Sequence, residues 1–265
     1  MADAGGGRVG PPSPPAPSGS AQRGTLPEPE VRAMFDRIAR VYDLINSVMT
    51  AGLHHQWRRR AADLANVGPG DRVLDVATGT GDLAIELAGR VAPGGEVVGS
   101  DFSEEMLALA RKKAPNLRFE WGNALELPYG DGEFAAATVG FGARNFSDLD
   151  RGVAEMARVV KPSGRVVILE ITTPQKPPLS TFFSLWFDRI VPVIGKVAGD
   201  PDAYDYLPNS VKRFPEPPGL AASMARAGLE DIRWILTAGG IIALHVGTRP
   251  TGPIVTSSNG TRPSA

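Results

Sequence analysis

Residues 71–101 read DRVLDVATGTGDLAIELAGRVAPGGEVVGSD, and the order of features in this stretch decides the fold. From Val73 to Ala77 the apolar run is almost unbroken, as in a strand covered on both faces, and it stops at Thr78-Gly79-Thr80-Gly81. Glycines have no Cβ, so Gly79 and Gly81 are both expected to let backbone approach a ligand closely. From Asp82 onward, Leu83, Leu87 and Ala88 recur at helical spacing, so the turn opens onto a helix N-terminus. A second strand, Glu96 to Ser100, ends at Asp101, about 20 residues past the turn, where a carboxylate can accept hydrogen bonds from two ribose hydroxyls. Strand, glycine turn, helix, strand and acid together describe a nucleoside site at the end of a parallel sheet.

Gly79-Thr80-Gly81-Asp82-Leu83-Ala84 also satisfies the G-x-G-x-x-A form of the dinucleotide fingerprint, so a nicotinamide cofactor is an alternative. The acids decide against it. Asp75 in the first strand and Asp82 at the helix start put negative charge where a pyrophosphate would lie. They suit a ligand without phosphate that carries a positive sulfonium and an amine, which describes S-adenosyl-L-methionine.

The formal net charge is −1, and no basic run exceeds three residues, as at Arg58-Arg59-Arg60, so nucleic acid is not expected as a partner. The chain has no cysteine, which removes disulfides, thiol nucleophiles and thiolate metal sites and fits a reducing cytoplasm. His54, His55 and His245 are too few and too scattered for a metal centre. Met1 to Gly24 and Thr251 to Ala265 are rich in small and turn residues and offer little to bury. Residues 1–27 and 251–265 are therefore read as disordered tails around a single α/β domain over 28–250. The N-terminal stretch lacks the apolar segment of a secretory signal or membrane anchor.

An amphipathic helix is expected from Val31, with Met34, Phe35, Ile38, Val41, Tyr42, Ile45 and Met49 on one side, in a position to cap the site. Ser103 reads as the N-cap of a helix over Glu104 to Lys113. Strands follow at Leu117 to Trp121 and Phe134 to Val139, a helix at Leu149 to Val160, a turn at Lys161 to Gly164, and a fifth strand at Arg165 to Ile171. This β-α alternation implies a parallel sheet with right-handed crossovers. Thr172 to Pro218 interrupts the rhythm as a proline-rich, aromatic insertion. A helix near Leu220 to Ala227 and an antiparallel hairpin, Leu229 to Leu236 with Gly240 to Val246, complete the domain.

Several motifs in order then carry a family resemblance. They are Phe35-Asp36-Arg37-Ile38-Ala39 with Tyr42-Asp43 and Asn46, Gly52-Leu53-His54 with Trp57-Arg58, Phe141-Gly142 with Arg144-Asn145, and Thr237 to Gly240 with His245. Over Val31 to Gly247 the chain resembles the ubiquinone and menaquinone biosynthesis C-methyltransferases. The resemblance implies a class I methyltransferase fold, a Rossmann-like seven-stranded sheet whose last strand is antiparallel, with N-terminal capping helices and an insertion after strand five. It implies methyl transfer from S-adenosyl-L-methionine to a ring carbon of a polyprenyl quinol; both branches share these motifs, and the Ala-, Gly- and Arg-rich composition favours demethylmenaquinol over the ubiquinone precursor. It also implies cofactor contacts at Thr80, Asp101, Asn123 and Ala124, while Gly140 stands where some relatives carry Ser and so offers no side-chain contact; Asp75 and Phe102 are expected to complete the cofactor set. Other lipid or phenolic acceptors, and a non-catalytic scaffold in a quinone-making assembly, are the competing readings.

Carbon methylation needs a ring carbon made nucleophilic by loss of a hydroxyl proton. Arg144 is expected to stabilise the quinolate or polarise a water, and Asn145 either orients the same hydroxyl or bonds its own loop. Tyr42 either meets substrate or packs in the core, and Asp43 is a base or the partner of an arginine. His245 is a structural histidine or a proton carrier. Trp57 with Arg58 to Arg60 reads as helix surface with one core anchor, or as a contact for lipid headgroups. Thr181 to Ile194 is a lid for the prenyl tail or a core segment, and it is too short to span a bilayer. Transient contact with the inner membrane face from the cytoplasm, and a homodimer, complete the expectations.

Overall fold

The computed structural model describes residues 29–34, 36, 37, 50, 52–174, 177–185 and 208–252. Its centre is a seven-stranded sheet in the order β3-β2-β1-β4-β5-β7-β6. The strands are β1 (Arg72–Val76), β2 (Glu96–Asp101), β3 (Arg118–Trp121), β4 (Phe134–Gly140), β5 (Val160–Ile171), β6 (Glu230–Thr237) and β7 (Ile242–Thr248). Strands β1 to β5 pair in parallel, and β7 runs antiparallel to both β5 and β6. The chain order reverses beside β1, and such a switch point opens a crevice at the carboxyl ends of the strands.

Neighbouring strand residues face opposite layers of core. Val73, Val167 and Leu169 pack with Leu83, Leu87 and Trp57, on the side of helices α1 (His54–Leu64), α2 (Asp82–Val91) and α3 (Glu104–Lys113). Leu74, Val166 and Ile168 pack with Met156, Leu220 and Met224, on the side of α4 (Leu149–Val159) and α6 (Pro217–Arg226). Burial on both faces explains why these strands read as continuous apolar runs. Each fully buried Leu or Ile contributes roughly 1.5–3 kcal/mol.

Helix starts follow from local chemistry. Ser103 Oγ accepts from the Met106 N–H at 3.2 Å to cap α3, and Asp148 Oδ1 accepts from the Arg151 N–H at 3.0 Å to cap α4. The expected turn at Lys161 to Gly164 lies inside β5. Pairing with β4 jumps from Phe134 opposite Val160 to Ala136 opposite Arg165, so the four turn residues bulge outward, with Ser163 at φ 63°.

Residues 29–34, 36 and 37 are helical, with Val31 and Met34 buried, and the Asp36 carboxylate accepts from Ser103 Oγ. The rest of the expected capping helix, including Tyr42 and Asp43, lies outside the described residues, as do nearly all of both tails. In the insertion, α5 (Leu179–Leu185) buries Phe183 and exposes Leu185, and Trp186 falls outside the description.

Candidate active site

A cleft of about 900 Å³, measured with its open mouth, sits at the carboxyl ends of β1, β2 and β4. Its floor is the turn after β1. Thr78 Oγ1 and Thr138 Oγ1 each donate to Asp75, both at 2.7 Å, and so fix the carboxylate below the glycine turn. Burial pushes the Asp75 carboxyl up to about 6, against these two hydrogen bonds and the charge of Arg58. At the end of β2, Asp101 accepts from the Gly79 N–H at 2.8 Å and from the Ser103 N–H at 2.9 Å. One acid therefore ties the glycine turn to the start of α3. Burial raises Asp101 to about 6 as well, opposed by those backbone donors and Phe102.

Most expected cofactor residues meet here. Asp75, Gly79, Thr80 and Asp101 line one wall, while Phe102, Asn123, Ala124 and Gly140 line the rest, together with Asn145. Gly79 has φ +56° and open space where a Cβ would stand. At Gly140 an added Cβ would meet Leu83 Cδ2 at 3.2 Å, so a serine there requires Leu83 to yield slightly.

Three expectations need correction. Gly81 does not line the cleft; it is glycine because its φ is +84° and a Cβ would lie 2.8 Å from Phe119 Cζ. Arg144 is also outside the lining, held in a buried ion pair 2.7 Å from Glu170, with its Nη1 also donating to the Phe141 carbonyl. Its backbone N–H donates to the same carboxylate at 3.1 Å, so this pair anchors the 3-10 turn Ala143–Asn145 rather than presenting a free cation. His245 lies buried in β7, away from the cleft, donating through Nε2 to the Pro217 carbonyl at 2.9 Å and stacked on Trp234. Burial pushes its imidazole down to about 4 despite that bond, so it stays neutral near pH 7 and packs as a structural histidine.

Of the acids beside the glycine turn, Asp82 is not a free negative charge. Asp82 is paired twice, 3.2 Å from Arg58 Nη1 and 2.8 Å from Lys113 Nζ. Burial would push its carboxyl up, but Arg58 and Lys113 outweigh that and hold it below the usual range. Among the described residues, the cleft acids without an ion-pair partner are therefore Asp75 and Asp101. Arg58 itself, read from the sequence as surface, is buried at the cleft wall with its guanidinium over Phe141. The i,i+4 spacing of His54 and Arg58 beside Trp57, all three buried on α1, was the signal for it.

The model of the ubiE/COQ5 methyltransferase family matches residues 23–249, nearly the whole domain. The chain belongs to this family. It is accordingly an S-adenosyl-L-methionine-dependent methyltransferase, and the cleft fits that cofactor: two buried carboxylates for hydroxyl and cationic groups, and a glycine that leaves room above the turn. Family relatives are similar along almost their full length. The demethylmenaquinone methyltransferase of Thermus thermophilus is 47% identical over 222 residues, covering 82% of this chain and all of that one. That of Deinococcus radiodurans is 49% identical over 224 residues, covering 83% and 92%. A ubiquinone/menaquinone biosynthesis C-methyltransferase of Citrifermentans bemidjiense is 40% identical over 225 residues, covering 83% and 96%. Among solved structures, a possible histamine N-methyltransferase from Thermotoga maritima aligns at TM-score 0.59 with 18% identity, covering 82% of this chain and 98% of that one. The cyclase SpnF aligns at 0.63 with 19% identity, covering 87% and 100%. These two show the fold alone, and their different chemistries illustrate how little a fold says about the reaction.

Proposed function

We propose that the protein methylates a ring carbon of demethylmenaquinol to give menaquinol, the closing step of menaquinone biosynthesis. The observation that carries this reading is the 47% identity, over the full length of that protein, with the Thermus enzyme named for that reaction. Bound S-adenosyl-L-methionine supplies an electrophilic methyl group on sulfur. The chain must bind and orient it, exclude water, and favour loss of a proton from a quinol hydroxyl so that the neighbouring ring carbon becomes nucleophilic. That carbon takes the methyl from sulfur as the new carbon–carbon bond forms and then gives up its own proton, and a proton returned to the oxygen restores the quinol hydroxyl.

Asp101 accepts the ribose hydroxyls, and the backbone at Gly79 and Thr80 cradles the nucleoside. Asn123 and Ala124 flank the adenine. Asn145, on the cleft wall just beyond β4, orients the quinol hydroxyl. Arg144 acts through Asn145: its ion pair with Glu170 holds the turn, which makes it a positioning residue. Tyr42 and Asp43 are assigned contacts with the substrate.

Among the described residues no helix is long and apolar enough to cross a membrane. We take access to the prenyl tail to come from transient contact at the inner membrane surface, through the insertion that begins with α5, and the working unit to be a homodimer. Flotation with anionic vesicles and analytical ultracentrifugation address these two points.

The decisive assay is methyl transfer from labelled S-adenosyl-L-methionine to a short-tailed demethylmenaquinone, with and without a reductant that forms the quinol. Reductant-dependent label on the ring carbon is the expected result. Binding of the cofactor with no transfer to this acceptor, but transfer to the ubiquinone precursor quinol, would move the enzyme to the other branch.

A further inference from the structure

Among the described residues lining the cleft, Arg58 is the only cation, set among Asp75, Asp82 and Asp101. Its side chain is 7% exposed, which excludes the solvated surface role of an ordinary helix arginine. The guanidinium is held on one side. Nη1 meets His54 Nδ1 and the Asp82 carboxylate, and the guanidinium carbon stands 5.6 Å from the Phe141 ring centroid. Stacking of that kind fixes the plane of the fork while leaving its edge free to bond. Nε and Nη2 donate to nothing among the described residues.

Asp82 does not depend on Arg58. Its Oδ1 has Lys113 Nζ at 2.8 Å, so its charge stays compensated when the guanidinium turns toward another anion. The cleft thus holds an arginine whose present acid partner has a second cation, at a wall where a ligand carboxylate would otherwise face three aspartates. We propose that Arg58 is a specificity residue that binds the carboxylate at the amino-acid end of S-adenosyl-L-methionine, while Lys113 keeps Asp82 neutralised. The inference rests on the cofactor reading of the cleft and deepens it by naming the group that selects for an intact amino-acid moiety.

Titration calorimetry with two nucleosides tests it. S-adenosyl-L-homocysteine carries the carboxylate, and 5′-methylthioadenosine keeps the nucleoside but lacks the whole amino-acid end. Arg58→Met should weaken S-adenosyl-L-homocysteine by about tenfold or more, as expected for loss of a charge-assisted bond, and leave methylthioadenosine within about twofold. Arg58→Lys should recover part of the loss, because charge returns without the fork. In the unaltered protein, decarboxylated S-adenosyl-L-methionine should bind at least about tenfold more weakly than the intact cofactor, a comparison that needs no variant. Equal loss of both nucleosides in Arg58→Met, or equal binding of the decarboxylated and intact cofactors, overturns the inference and leaves the cofactor site standing. Failure of the unaltered protein to bind either nucleoside removes the cofactor reading itself.

Discussion

Gly79 and Gly81 stand two positions apart and are glycine for different physical reasons. Gly79 lines the cleft at φ +56° with empty space over its α-carbon, so a side chain there would occupy ligand volume. Gly81 faces the Phe119 ring. Gly79→Val should therefore abolish cofactor binding in calorimetry, with added backbone strain. Gly81→Ala should lower stability by about 1–3 kcal/mol in urea titration, through strain and overpacking, and leave the cleft wall intact. The glycine turn was legible in the sequence, but the motif could not say which glycine faces ligand and which faces a ring thirty-eight residues on. Asp75 invites a pH test. Its folded pKa of about 6 lies above its unfolded value, so the folded protein binds the extra proton. Its contribution to stability is fully present below about pH 4, and is lost as pH rises through about 6. Stability of the ligand-free protein should fall across that window, and Asp75→Asn should make the fall shallower, with Asp101 supplying the remainder, since Thr78 and Thr138 can reorient their hydroxyls toward an amide. Denaturation curves at stepped pH read this directly.

At the scale of elements, the loop after β4 is anchored by one ion pair. Arg144 and Glu170 have side chains only 6% and 1% exposed, so truncating the arginine strands a buried charge. Arg144→Ala should cost about 3–5 kcal/mol of stability in urea titration, so lost activity in that variant reports a displaced loop as much as altered chemistry. Asn145→Ala is the cleaner probe, because Asn145 lines the cleft; it should lower kcat with little change in Tm. The motif Phe141-Gly142 with Arg144-Asn145 was visible from the sequence, yet Glu170, twenty-six residues on, was not paired with it, because a parallel neighbour strand is set by register rather than by proximity in the chain. Ser103 shows the opposite case. Its capping role is local, and both the residue and the helix it begins were readable before any tertiary contact was known.

For the whole molecule, the order of the five parallel strands' elements and the final antiparallel hairpin followed from periodicity and turn chemistry. The layering of the core followed from the continuous apolar strands. What periodicity could not supply was the position of α1, since its mean polarity disguises a face that buries His54, Trp57 and Arg58 against the cleft. The same architecture sets a gradient of protection. β1, β4 and β5 each have a paired strand on both sides, whereas β3 and β6 are the sheet edges. Amide hydrogen exchange should be slowest in β1, β4 and β5 and fastest in β3 and β6, and cofactor should slow the turn at 77–81 more than either edge. Uniform protection across the sheet would contradict that gradient.

The bulge inside β5 offers something of a different kind. Lys161 and Ser163 are exposed at the amino-terminal end of the strand, across the sheet from the cleft, and the loop is tied down where the Ser163 N–H donates to the Arg249 carbonyl at 2.8 Å. Because the chain contains no cysteine, Lys161→Cys would create a single addressable thiol. A fluorophore fixed there would report the rotation of the entire protein and remain blind to whatever enters the cleft, so arrival at a lipid vesicle could be watched by anisotropy while turnover proceeds undisturbed.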